Sequence, residues 1–230
     1  MKLPILLILI FLLFPYSDIY AENSCAEILK APYKLKSYEN VTTSTIFDCL
    51  TLESQNILFE EGFEPDEFLF NLSSELSKRQ NIKLLLERYD NPTDEFQREW
   101  IMVALVGIDD KNLLKELKAR MTHSTDRVMY YCVSYVAKNG DEQALKILND
   151  NYHQYGSSFE WAGTVLLFGK YKYKPAILNL IESLDAASLN LVGGAQDSLE
   201  KIFKGPHPDF KTLSEMKLYF KNLYKKSLTN

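Results

Sequence analysis

The residues best suited to metal binding or catalysis in this chain are three histidines, and they are widely spaced. His123, His153 and His207 have no second His or Cys at the spacing of a zinc site. We interpret His123 and His153 as residues at the ends of helices. The alternative is that they form a site that bridges two neighbouring structural units. The chain has no Gly-x-Ser-x-Gly motif, glycine-rich phosphate loop or Cys–His signature. The sequence therefore predicts no metal site, no cofactor and no catalytic residue, which favours a protein that is not an enzyme.

Three cysteines form the second set of reactive residues. Cys132 lies in the apolar run "VMYYCVSYV", which is typical of a helix with a buried small hydrophobic side chain. Cys25 and Cys49 both lie in the less regular N-terminal stretch. Because thiols tend to pair in an oxidising compartment, we predict a disulfide between Cys25 and Cys49. Three free thiols are the alternative.

The expectation of an oxidising compartment comes from the first residues, "MKLPILLILIFLLFPYSDIYAEN". A basic Lys2 is followed by an apolar run of about a dozen residues, and Ala21 precedes a plausible cleavage point. We predict a signal peptide over residues 1–21 and an exported chain, periplasmic or secreted, that begins near Glu22. A retained membrane anchor is the alternative, but the run is well short of the ~20 residues that span a bilayer. No membrane contact is expected after cleavage, and the net charge of −5 argues against a nucleic-acid partner.

Large aromatic residues recur at a regular spacing in the middle of the chain. Trp100, Tyr130 and Trp161, named here the aromatic series, lie 30 and then 31 residues apart. Glu99 and Glu160 flank the two tryptophans. Aromatic rings beside polar groups often anchor binding surfaces, so these five residues are the predicted binding site. The alternative is that the three rings pack between neighbouring structural units.

The same spacing appears in the secondary structure that must position these residues. Segments beginning at Arg98, Val128 and Phe159 each contain an apolar helix, a short turn and a second apolar helix. The turns are "GIDD", "NGD" and "GKYKYKP", and Asp110 and Asp141 are suitable N-caps for the helices that follow. One such hairpin cannot bury its own apolar stripe and must stack on its neighbours. The pattern predicts an all-α fold with a period of about 30–31 residues.

These hairpins resemble the HEAT-like repeat family, in the short form of bacterial HEAT proteins and phycobilin-lyase-type repeats. The resemblance covers residues 80–203 and rests on the period, the helix-pair layout and the "TDRV" segment at 125–128. The chain departs from the family because its Asp and Arg are not repeated in register and aromatic residues replace many alanines. The resemblance implies a right-handed α-solenoid of stacked helical hairpins. Its second helices would line a concave face and carry the aromatic series.

The predicted organisation has four parts. A signal peptide covers 1–21, an N-terminal helical extension 22–64, a HEAT-like array 65–203, and a C-terminal capping helix 204–230. For the function, we expect an exported scaffold that binds a protein or peptide, with an inhibitor or immunity-type protein as a more specific version. The alternative is an enzyme or lyase-like enzyme accessory that binds a small ligand in the concave groove.

Overall fold

The computed structural model describes residues 24–29, 38, 41–121, 126–154 and 158–229. The predicted signal peptide lies outside these residues. Within the described ranges all regular structure is helical and no strand is present, which confirms the predicted all-α class. In chain order the α-helices described are α1 (Cys25–Leu29), α2 (Thr43–Cys49), α3 (Leu52–Glu60), α4 (Pro65–Arg79), α5 (Ile82–Asp90), α6 (Glu95–Val106), α7 (Lys111–Arg120), α8 (Asp126–Lys138), α9 (Glu142–Asp150), α10 (Ser158–Lys170), α11 (Ile177–Ser183), α12 (Leu189–Phe203) and α13 (Leu213–Ser227).

The first two predicted hairpin turns lie where the sequence places them. Between α6 and α7, the Asp110 carboxylate accepts a hydrogen bond from the backbone N–H of Asn112 at 2.6 Å. Between α8 and α9, the Asp141 carboxylate accepts from the N–H of Ala144 at 2.9 Å. Both aspartates therefore satisfy an N–H group that a helix start leaves without an intrahelical partner, as predicted.

The third turn, between α10 and α11, is longer than the first two and ends α10 with a different hydrogen-bond pattern. Lys172 adopts a left-handed conformation with φ of 51°, and the N–H of Tyr173 donates to the carbonyl of Phe168 at 2.9 Å. This is the hydrogen-bond pattern of a Schellman closure at the end of α10. A short 3₁₀ turn, Lys174–Ala176, then leads into α11 without a side-chain cap.

The chain divides into two compact units. The N-terminal unit comprises the described residues up to Asn81 together with Glu87–Ile101, and the C-terminal unit comprises Ile82–Leu86 with the described residues from Met102 onward. The sequence-based boundaries at residues 64 and 203 stay predictions.

The core of the N-terminal unit is built around two fully buried phenylalanines, Phe47 of α2 and Phe68 of α4. The Gln97 side-chain amide donates to the carbonyl of Phe47 at 2.7 Å, and the Ser73 hydroxyl donates to the carbonyl of Trp100 at 3.0 Å. Both hydrogen bonds are buried, so they tie polar groups of distant helices together where water would not compensate for their loss.

In the C-terminal unit, α10 and α12 approach each other closely. A methyl group at Gly169 would lie 2.7 Å from the Cα atom of Ser198, and one at Gly194 would lie 3.0 Å from the side chain of Val165. The Ser198 hydroxyl donates to the Val165 carbonyl at 2.6 Å. Small residues thus let the two backbones approach closely enough for a side chain of one helix to bond the backbone of the other.

Candidate functional site

The aromatic series lies on α6, α8 and α10, each the first helix of its hairpin and not the second as predicted, and the two rings that the structure describes are buried. Trp100 lies on α6 in the N-terminal unit with 6% of its surface exposed, and Tyr130 lies on α8 in the C-terminal unit with 8% exposed. Trp100 meets the ring of Phe96 edge-on at 6.1 Å, and Tyr130 meets that of Tyr131 at 5.8 Å. For these two positions the burial favours the packing alternative over an open binding surface.

The remaining predicted site residues are only partly described. Glu99 on α6 is half-buried. Glu160 and Trp161 lie on α10, and for these two residues the structure describes the backbone alone. A binding role for these residues, and for the series as a whole, stays a prediction.

The cysteines are arranged as the sequence suggests. Cys25 of α1 and Cys49 of α2 form a disulfide, with their Cα atoms 5.3 Å apart. Cys132 on α8 is a buried free thiol whose Sγ lies 3.3 Å from the carbonyl oxygen of Leu117, to which it donates. Burial raises the pKa of the Cys132 thiol to about 12, against a smaller opposing effect of the Arg120 charge. Because the thiolate is the reactive species, burial of the thiol lowers the reactivity of Cys132.

Two tyrosines near the ends of helices bind the turns of preceding hairpins. The hydroxyl of Tyr135, on α8, lies 3.4 Å from the carbonyl oxygens of both Ile108 and Asp110, to which it donates. The hydroxyl of Tyr171, directly after α10, donates to the carbonyl of Lys138 at the end of α8. Burial, followed by the nearby Asp109 and Asp110 carboxylates, raises the pKa of Tyr135 above its ordinary value. Its hydroxyl therefore stays protonated and able to donate.

The ring of Tyr171 also rests on Gly140, which has a φ of 84°. A methyl group at Gly140 would lie 2.9 Å from the Tyr171 ring. Glycine is thus required here twice, for the left-handed backbone and for the contact with the ring. The sequence places "NG" at a helix end, but it does not reveal the ring that covers the glycine.

Further hydrogen bonds in the C-terminal unit join helices of successive hairpins. The Asn179 amide of α11 donates to the backbone carbonyl of Asn149 on α9 at 3.1 Å, 30 residues away. The Tyr152 hydroxyl lies 2.6 Å from that of Ser183, 31 residues away. Together with the tyrosine–turn contacts and the Ser198–Val165 bond, these are named here the hairpin-to-hairpin hydrogen bonds.

The side chains of α12, α13 and the segment between them line a cavity of about 490 Å³. The polar groups of this cavity include the carboxylates of Glu200 and Asp209, and the apolar ones include Phe210 and Met216. Among the described residues that line it, Glu200 and Asp209 are acidic and none is a lysine or an arginine.

His207 forms one side of this cavity. Its Nδ1 lies 3.3 Å from the hydroxyl of Tyr219, and its Nε2 lies 3.4 Å from the carbonyl oxygen of Glu200. The ring also meets that of Phe220 at 5.6 Å. These contacts orient the imidazole between an aromatic cluster and the cavity. His153, by contrast, is exposed on a 3₁₀ turn with Glu182 at 3.4 Å, and His123 lies outside the described residues.

A search of the described part of the chain finds no group of three or more His, Cys, Asp or Glu side chains placed to hold a metal ion. Within the same residues, none of the helices has both the length and the apolar character needed to cross a membrane. Comparison with protein-family models, with curated proteins and with solved structures finds no match to this chain.

Proposed function

We propose that this chain is an exported HEAT-like repeat protein that stacks helical hairpins into an α-solenoid and uses it to bind a protein or peptide. The observation that supports the proposal best is the set of hairpin-to-hairpin hydrogen bonds. Asn179–Asn149, Tyr152–Ser183 and Ser198–Val165 join residues separated by 30, 31 and 33 positions. With the tyrosine–turn contacts included, the separations in the set run from 25 to 33 positions. Separations close to one repeat length result when each repeat contacts only the next one.

The helices involved support the same interpretation. Ser198 of α12 bonds α10, and Asn179 of α11 bonds α9, so first helices contact first helices and second helices contact second helices. Tyr135 bonds the turn before α7, and Tyr171 bonds the end of α8 before the next turn. Equivalent elements of neighbouring hairpins are thus paired, as in stacked repeats. Repeat proteins of this kind use their extended surface to bind partners.

Two measurements test the proposal. Small-angle scattering of the exported chain should give a radius of gyration above that of a compact domain of the same length. A radius of gyration equal to that of a compact domain would contradict the proposed solenoid. For the partner, the chain should capture a protein from the envelope or extracellular fraction of its own host, and the two purified proteins should then bind directly.

The binding measurement has a matched pair of variants. Trp161→Ala tests the aromatic series at the position whose side chain the structure leaves undescribed, and it should weaken binding by about 2 kcal/mol or more if the ring is a hot spot. Phe59→Ala removes an exposed ring of the N-terminal unit and should leave binding unchanged. An equal effect of both changes, or a large fall in melting temperature for Trp161→Ala, would remove the aromatic series as the binding site.

The C-terminal cavity supports a second candidate, a lyase-like or accessory protein that binds a small ligand. Its volume of about 490 Å³ lies within the range of ligand pockets, ~300–1,000 Å³. Its carboxylates and the ring of Phe210 suit a small organic cation. A panel of amines and guanidines should then raise the melting temperature of the wild type but not of Asp209→Asn. If no member of the panel has this effect, the scaffold reading remains.

A further inference from the structure

The last helix, α13, presents two different faces. One face packs on the C-terminal unit, where Met216 is 7% exposed and Phe220 is fully buried with its ring stacked on that of Phe203 at 6.1 Å. The other face carries Leu218, Lys221, Lys225 and Leu228, which follow one another at intervals of three, four and three residues. That spacing places all four on one side of a helix. We name this set the lysine–leucine face.

The lysine–leucine face is open to solvent. Leu218 is 61% exposed and Leu228 is 68% exposed, and both lysines between them are exposed. The side chains of Lys221 and Lys225 form neither a hydrogen bond nor an ion pair with any described residue, although the backbone carbonyl of Lys225 accepts from the N–H of Leu228. Lys217, at the edge of the face, differs because it pairs with Asp185 of the segment after α11. The two lysines of the face are therefore available for a partner outside the chain.

The charge of this region is opposite to that of the rest of the protein. From Lys204 to the C-terminus there are six lysines against two acidic residues, a net charge of +4, whereas the whole chain carries −5. The remaining residues are therefore strongly acidic. Such an asymmetry favours orientations in which the basic region faces an anionic surface.

We propose that α13 docks on an anionic lipid membrane through the lysine–leucine face. Leucine and lysine on one exposed helix surface are the residues of interfacial helices, in which leucines enter the acyl boundary and lysines contact the headgroups. A protein partner is less well matched, because lysine is depleted in the centre of protein interfaces. The face spans about 15 Å at 1.5 Å of rise per residue, which is long enough to contact several lipids.

This docking differs from membrane spanning and replaces the sequence-based expectation of no membrane contact. It is also independent of the proposed repeat scaffold, since it needs only α13 and its exposed residues. The binding is weak and reversible. Each lysine at an anionic surface strengthens binding by roughly five-fold, and a single apolar contact of this size does not hold a protein on a membrane.

The experiment is a vesicle sedimentation titration of the full exported chain at low salt. One set of vesicles contains phosphatidylcholine alone, and the other contains roughly one-third phosphatidylglycerol. We expect binding to the phosphatidylglycerol vesicles only, and we expect about 1 M salt, where the Debye length is ~3 Å, to abolish it. Equal binding to both vesicle types, or none to either, would overturn the proposal.

Matched variants locate the contact. The double change Lys221→Gln and Lys225→Gln should weaken vesicle binding by about 25-fold, as two lysine contributions predict. The control is Lys111→Gln with Lys115→Gln on α7, two exposed lysines with the same four-residue spacing, which should change binding less than two-fold. Leu218→Ser with Leu228→Ser should weaken binding while leaving its salt dependence in place.

All these side chains are exposed, so the melting temperature should stay unchanged and the variants remain interpretable. An equal loss in the α7 control, or retention of binding after the α13 lysines are replaced, would show that net charge rather than the lysine–leucine face attracts the vesicles. Either result would overturn the proposal.

Discussion

Each of the two units of the chain is stabilised internally in a different way. In the N-terminal unit, long-range bonds converge on a few groups: the Arg79 guanidinium donates to the carbonyls of Tyr38 and Val41 and to the hydroxyl of Thr43, and one disulfide joins α1 to α2. The separations are irregular, up to the 50 residues between Gln97 and Phe47. In the C-terminal unit the hairpin-to-hairpin hydrogen bonds are spread along the chain at separations of 25 to 33 residues.

This difference predicts two kinds of response to mutation. A structure that depends on a few convergent contacts loses much of its stability when one is removed. A structure stabilised by repeated nearest-neighbour contacts loses a similar, moderate amount at each of them. The following changes test that contrast, beginning with the largest expected effect.

Trp100→Ala should lower the free energy of unfolding by about 3–5 kcal/mol, because it leaves a cavity in place of a buried ring. The control in the same unit is Phe59→Ala, whose ring is 75% exposed and which should cost under about 0.5 kcal/mol. Chemical denaturation of both variants measures the difference. A loss below about 1 kcal/mol for Trp100→Ala would contradict the burial of the ring.

Replacing Cys25 and Cys49 together by serine should cost about 3 kcal/mol, since the disulfide closes a loop with a sequence separation of 24. The effect should be confined to the N-terminal unit, where amide hydrogen exchange should accelerate while α8 and α10 keep their protection. Reducing agent should have no further effect on the double variant. Uniform loss of protection in both units would show that they unfold as one and would remove the contrast.

Gly140→Ala should cost roughly 2–3 kcal/mol, because the methyl group combines left-handed strain with a clash against the Tyr171 ring. Gly62→Ala is the matched control: its φ of 80° is nearly the same, but no atom lies within 4 Å of the added methyl group. It should therefore cost only about 1 kcal/mol of strain. Similar losses of stability at the two glycines would show that the Tyr171 ring moves aside at no cost in the free energy of unfolding.

The tyrosine–turn contacts should each contribute about 1 kcal/mol. Tyr135→Phe and Tyr171→Phe remove only the hydroxyl, so the two changes should destabilise by comparable amounts. Because the sites are separate, the double variant should show the sum. A strongly non-additive result, measured by denaturation, would indicate convergent rather than distributed stabilisation in the C-terminal unit.

The smallest effect concerns the Asp141 cap. Burial alone would raise its pKa, but hydrogen bonds from Lys118 and from the Ala144 N–H, with the Lys118 charge, lower it below its ordinary value of 3.8. Because the pKa is lower in the folded state, the ionised Asp141 stabilises the protein at any pH above its ordinary pKa of 3.8. This contribution is lost as the pH falls below 3.8. Asp141→Asn keeps a cap and should flatten that part of the profile, whereas Asp141→Ala should also cost about 1 kcal/mol at neutral pH. An unchanged acid profile for Asp141→Asn would contradict this assignment.

Local features of the fold were predictable from the sequence. The hairpin turns follow from residues whose preferences are local, such as the caps Asp110 and Asp141. The pairing of Cys25 with Cys49 follows from the contrast between an irregular stretch and the apolar helix that contains Cys132. The cap inferences succeed because each depends on neighbours within a few positions in the chain. The disulfide inference succeeds because the apolar helix around Cys132 leaves Cys25 and Cys49 as the remaining pair.

Equal spacing, in contrast, did not determine equal surroundings. Leu105 and Leu166 occupy matching places in the repeat pattern, yet Leu105 is fully buried and Leu166 is 49% exposed. Periodicity shows which residues share a helix face but not what packs against that face. For the same reason the sequence left open whether Trp100 and Tyr130 are buried, and it gave no indication of the cavity beside His207, which depends on how α13 folds back on α12.

The buried Cys132 affects how the chain withstands an oxidising environment. Three cysteines permit three single-disulfide isomers, and exchange among them requires a free thiolate. Because burial raises the pKa of Cys132 to about 12, its thiol stays protonated at neutral pH. Once α8 has packed, the Cys132 thiol exchanges only slowly with the disulfide. The Cys25–Cys49 pairing is therefore protected from thiol–disulfide exchange without a fourth cysteine.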